Sequence, residues 1–189
     1  MTGVYKTEPG VVDWGKLKNE LMEQPKEVLI ELINAWAKNY WSNQGYWMLF
    51  VERDFGTDSA ARLDGEIWEH MAKAQAHRLI KAFNLGDDIQ ALATVLKYCA
   101  AQWVTASFEW EFIEITDKKI VMQVNKCPMG TFRDSQNLPL FPCKLGAPSL
   151  YISLATTVNE KIKTSCLHAH PDERIEGVMC KWEFILEDN

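Results

Sequence analysis

Four of the five cysteines, Cys127, Cys143, Cys166 and Cys180, fall in the last third of the chain. Thiolates are ligands of zinc and other soft metals, and a structural zinc ion takes about four donors in a tetrahedron. Each of the four lies at the edge of an expected strand or helix, so a fold could bring them together. Cys127 ends a strand. Cys143 starts a helix, whose positive end would lower a thiol pKa. Cys166 ends a third strand and Cys180 opens its antiparallel neighbour, where facing ends lie close in space. No CxxC knuckle is present, and buried apolar cysteine explains the same residues. On spacing alone both roles are open. His168 and His170 could replace a thiol as ligand, although His170-Pro171-Asp172 reads as a solvated turn. Cys99, on an apolar helical face between Leu96 and Trp103, reads as core.

A second group of residues outlines a small-molecule pocket. Trp36, Trp41, Trp47, Trp68 and Trp103 all lie in the helical half, where plain core is the cheaper explanation of them. Among them stand Glu52 and Arg78. A buried Glu needs a partner, and Arg is the usual one because its fork matches a carboxylate. Asn43 and Asp64 could join the pair. The expected ligand-binding set is therefore Asn43, Trp47, Glu52, Asp64, Trp68 and Arg78, with Glu52 also the candidate general base. Solvated helix faces explain the same charges. No GxSxG elbow, P-loop, dinucleotide glycine pattern or HExxH is present.

The elements that must position these residues follow from periodicity. Apolar residues recur at helical spacing through the first half. Asp13 is the expected N-cap of a first helix, Pro25 opens a second, and Ser42–Gly45 is expected to interrupt it. Gly56 ends that helix, Thr57 caps a third that runs to Asn84, and a fourth runs from Ile89 to about Gln102. Near Val104 the period drops to 2. Phe108–Ile113 and Ile120–Asn125 read as a hairpin, Cys143–Val158 as a helix, and Lys161–Cys166 and Val178–Leu186 as a second hairpin. The expected fold is α+β: N-terminal helices packed on a C-terminal antiparallel sheet of about four strands, with one long inserted helix. A helical half, 1–104, and a cysteine-bearing α/β half, 105–189, are expected to form one compact unit.

Composition bounds the function. The 189 residues are 47% hydrophobic and 24% charged, enough for a proper core. A net charge of −6 with scattered Lys and Arg argues against nucleic acid. No apolar run reaches the ~20 residues of a membrane span, and the start, MTGVYKTEPGVVDWGK, lacks a leader pattern. A cytoplasmic protein with reduced cysteines is expected, and five thiols would in any case leave one unpaired.

Several segments carry a family resemblance. Phe141-Pro142-Cys143-Lys144-Leu145-Gly146, Ile162-Lys163-Thr164-Ser165-Cys166 and Cys180-Lys181-Trp182-Glu183-Phe184 resemble an uncharacterised prokaryotic family related in pattern to the aminothiazoline-carboxylate hydrolases. Gly45-Tyr46-Trp47, Val51-Glu52, Phe55-Gly56 and Ile67-Trp68 extend it over most of the chain. The C-terminal order also looks like the 4-vinyl reductase domain, in which small ligands bind between helices and sheet. Sensor members of that fold hold zinc through cysteines plus a carboxylate. The resemblance implies Cys143, Cys166 and Cys180 as sulfur ligands, with Cys127 near the carboxylate's place. The first spacing and the long Cys166–Cys180 loop depart from that pattern, which leaves the fourth ligand open between Cys127 and a loop histidine. Three functions follow: a small-molecule-binding domain with a structural zinc, a hydrolase of a small cyclic amide-like or thiazoline substrate, and a non-catalytic protein that forms a homodimer through its helical face.

Overall fold

Capping residues decide where the N-terminal helices start and stop. The computed structural model describes Gly10, residues 13–100 and residues 108–188. The rest of the expected N-terminal arm, Trp103 and the change of period near Val104 lie outside the described residues, whereas the helix expected to reach about Gln102 ends earlier, at Tyr98, where Cys99 turns to extended backbone. Asp13 accepts a hydrogen bond from the Lys16 amide at 2.9 Å and starts α1, Trp14–Met22. The second helix, α2, runs Lys26–Phe55. The interruption expected at Ser42–Gly45 does not occur. Gln44 is buried there and donates to Asp64 of the next helix, and that anchorage outweighs the ~1 kcal/mol a mid-helix glycine costs. Gly56, at φ 84°, turns the chain into α3, Thr57–Phe83. Gly56 takes the N-cap position expected for Thr57, whose hydroxyl instead donates to Glu52 at 2.6 Å. Asn84 ends α3 in the left-handed region, and Asp88 caps α4, Ile89–Tyr98, by accepting from the Ala91 amide at 2.8 Å.

Beyond α4 come β1 (Glu109–Ile115), β2 (Lys119–Lys126), α5 (Pro128–Ser135), α6 (Cys143–Val158), β3 (Ile162–Ala169) and β4 (Cys180–Leu186). The four strands form one antiparallel sheet in the order β1-β2-β4-β3. The fold is α+β, with helices N-terminal, the sheet C-terminal and the long α6 inserted between two hairpins. Ile120, Met122 and Val124 of β2 and Trp182 and Phe184 of β4 alternate onto one face of the sheet. They bury there against α4 and α6. On its other side α6 packs against α3. Gly65 and Gly146 allow that approach: a Cβ on Gly146 would stand 2.8 Å from the Ala61 carbonyl oxygen. Contacts cluster into two units, residues 1–36 and 37–189. In the first, every described side chain is at least partly exposed.

Register corrects one expectation about the cysteines. Strand β3 continues past Cys166 to Ala169, so Cys166 stands opposite Trp182, and the partner of Cys180 is Ala169. Cys166 and Cys180 are thus offset along the ladder, with a register shift between Cys166 and His168, rather than facing ends.

Candidate functional site

The short helix α5 separates two cavities. Its N-cap is Cys127 and its first residue Pro128, whose fixed φ and missing N–H suit a helix start. On one side, Met129, Phe132 and Arg133 of α5 face Trp41, Tyr46, Met48, Leu49 and Glu52 of α2 across a cavity of about 270 Å³. Among the described residues, the charged groups that line this aromatic cavity form an ion pair. Arg133 donates from Nη1 to Glu52 Oε2 at 2.6 Å and from Nη2 to Glu52 Oε1 at 3.0 Å. Arg133 Nε donates to the Pro139 carbonyl, and the guanidinium lies 5.8 Å from the centre of the Phe141 ring. The Arg133 side chain is 4% exposed and that of Glu52 20%. Hydrogen bonds from Arg133, and then from Thr57, hold the Glu52 carboxyl below its usual range.

Arg133 therefore occupies the place expected for Arg78, which is exposed on α3 beside a separate depression lined by Tyr40, Gln75 and Tyr98. Of the expected pocket residues, Glu52 alone lines the aromatic cavity. Asn43 is exposed. Trp47 packs on the small cluster of Met48, Ala60, Ala61 and Phe141, and Trp68 lies in the main core. Asp64 is buried and accepts from Gln44. Burial pushes its carboxyl up to about 7, against the hydrogen bonds of Gln44 and Trp68. Burial raises the pKa values of Tyr40 and Cys143, and the Asp64 charge adds to it.

On the other side of α5, Cys127, Cys143 and Cys180 line a cavity of about 450 Å³ together with His168, His170 and Asp172. The four C-terminal thiols come from four places in the fold: the N-cap of α5, the start of α6, the body of β3 and the start of β4. Burial raises the pKa of every one. For Cys127 the Gly130 and Met129 amides oppose it, and for Cys166 the Lys144 charge does. Cys143 is pushed up to about 12, with the charge of Cys127 adding to burial. Cys180 feels Cys127, Cys143 and Cys166. The indole N–H of Trp182 approaches Cys180 and favours its thiolate, while among the described residues no partner completes that donor's hydrogen bond. Among the described residues, no three His, Cys, Asp or Glu side chains stand close enough to hold a metal ion.

The loop after β3 is more than a solvated turn. His168 is buried, with Nδ1 3.7 Å from Asp172 Oδ2. Asp172 accepts from Lys144 Nζ at 2.6 Å and from the Ala169 amide at 3.2 Å. The His170 carbonyl accepts from the Lys144 amide at 3.1 Å, which satisfies a free N–H in the first turn of α6. Cys99 is buried as expected, and its thiol donates to the Leu96 carbonyl.

The sequence model of a family described as of unknown function, DUF6125, matches residues 22–186. No curated protein and no solved structure matches the chain. Among the described residues, no helix is long and apolar enough to cross a membrane.

Proposed function

The chain belongs to the DUF6125 family of unknown function, and we propose that it is a small-molecule-binding domain whose ligand sits in the aromatic cavity between α2 and α5. One observation carries this reading. The Glu52–Arg133 pair reaches a cavity of about 270 Å³ whose other walls are mainly aromatic and thioether side chains. A few convergent polar groups in an apolar cleft are the usual construction of a site for a small organic molecule. Gly45 supports it. This glycine lines the cavity, and nothing lies within 4 Å of the Cβ it lacks.

Gly45→Leu would put a good helix former into that space. Fragments detected by ligand-observed NMR on the wild-type protein are expected to lose binding in this variant. Its melting temperature is expected to equal or exceed that of wild type, because a mid-helix glycine is worth about 1 kcal/mol less than a helix former. Fragment binding unchanged by the substitution would place the ligand elsewhere and end this reading.

A second reading is a structural metal, zinc by its donors, held by Cys127, Cys143, Cys166 and Cys180. Its support is that thiols from four separate elements share one electrostatic neighbourhood, with a buried indole N–H beside Cys180 whose hydrogen bond is incomplete. The donor chemistry fits zinc, whereas the spacing of the described side chains does not. Holding an ion would require the thiols to turn inward and lose their protons, which ties affinity to pH. Protein purified without added metal is expected to carry about one zinc per chain, and chelation is expected to lower its melting temperature. Metal-free protein whose stability ignores added zinc would remove this reading and leave the first untouched.

The hydrolase alternative draws on Glu52 as general base. Both of its oxygens accept hydrogen bonds and its carboxyl is held ionised, so it is a weak base as it stands. Kinship with the aminothiazoline-carboxylate hydrolases and the 4-vinyl reductase domain rests on the quoted motifs alone. The five free cysteines suit the reducing cytoplasm we propose for the chain.

A further inference from the structure

We infer that the aromatic cavity selects a compact organic cation, an ammonium or amidinium group on a small apolar body, and that Glu52 is the residue that selects it. This rests on the reading of that cavity as a ligand site. The accessible half of the ion pair is the carboxylate, since Glu52 is 20% exposed and Arg133 only 4%. Arg133 uses three of its five N–H donors, Nε on the Pro139 carbonyl and one on each terminal nitrogen to Glu52, and the two that remain belong to the more deeply buried side chain. A carboxylate offers about four acceptor positions, and Arg133 and Thr57 take three of them, leaving one on Oε2.

The pair is neutral overall, so selection comes from which end faces the ligand. The walls favour the same sign of charge. Trp41, Tyr46 and Phe132 line the cavity with aromatic rings, whose faces attract cations, and Met48 and Met129 add polarizable sulfur. Among the described residues, no lysine and no second arginine lines the cavity. An anionic ligand would meet the more exposed Glu52 carboxylate first and could reach only the two spare N–H groups of a side chain that is 4% exposed, so like-charge repulsion opposes it. The volume, about 270 Å³, lies just below the usual range for ligand sites, which limits the body to about one ring and a short arm.

Three probes of one shape and different charge test this: phenethylammonium, 2-phenylethanol and 3-phenylpropionate, titrated calorimetrically into the full chain. Phenethylammonium is expected to bind at least about tenfold more tightly than either of the others, a difference of about 1.4 kcal/mol. Glu52→Gln is expected to bring the three within about twofold of one another, and Phe132→Ala to weaken all three. Equal or tighter binding of the alcohol or the carboxylate overturns the cation assignment while the cavity stands as a ligand site. Binding by none of the three at millimolar concentration overturns the site itself. The wild-type comparison decides the matter even if the Gln variant fails to fold.

Discussion

Arg133→Ala is expected to destabilise the chain by about 3 kcal/mol, the low end of the cost of breaking a buried ion pair by removing one partner. The arginine is the more deeply buried member of the pair. Its loss strands Glu52, frees the Pro139 carbonyl and removes the cation from above Phe141. These contacts tie α5 and the segment after it to α2, so both walls of the aromatic cavity should loosen together. Glu52→Gln keeps one acceptor for the guanidinium but takes away its counter-ion, and should cost about 2 kcal/mol, within the range for hydrogen bonds to charged groups. Replacing the pair together, Glu52→Leu with Arg133→Met, should recover most of the loss, because two apolar side chains need no partner. Urea denaturation of the four proteins measures this. A loss below about 1 kcal/mol for Arg133→Ala would mean that the pair is solvated and that α5 is held by other contacts.

Asp64→Asn is expected to stabilise the protein at pH 8 by about 2–4 kcal/mol and to have little effect near pH 4. The folded carboxyl titrates at about 7 and the unfolded one at its ordinary 3.8. Between those values the native state binds more protons than the unfolded state. Stability therefore falls as pH rises from about 4 to about 7, then levels off. The cause is burial, which disfavours the charged form more than the Gln44 and Trp68 hydrogen bonds favour it. Asparagine keeps the acceptor that Gln44 uses and has no proton to lose in this range. Melting temperatures of both proteins across pH 4–8 should diverge as pH rises. Parallel curves would show that Asp64 is solvated in its ionised form, which would detach Gln44 from its role as the anchor of α2.

The tight crossing of α3 and α6 shows why part of the site was legible and part was not. Asp64, Trp68 and Cys143 are visible in the sequence as polar, aromatic and thiol positions on helices. Their common neighbourhood depends on Gly65 and Gly146 meeting across two helices, and neither glycine has a local signature. Arg133 was missed for the same reason. It lies 81 positions from Glu52, in a short polar segment without periodicity, and its role exists only where α5 folds back on α2. Arg78 sits on a well-marked helix and was the natural choice, yet the helix turns it to solvent.

Apart from α5 and the continuity of α2, the sequence by itself determined the elements and their order, because caps, glycine stops and the change of period from 3.6 to 2 are local physical preferences. It also determined that four thiols would sit on four different elements of the C-terminal half. Only the tertiary structure decided that Gln44 would carry α2 through its glycine and that Cys166 would face Trp182. It alone placed Arg133 as the partner of Glu52. Those outcomes depend on strand register, helix approach and the burial of charge, energies that arise only when distant segments exclude water together.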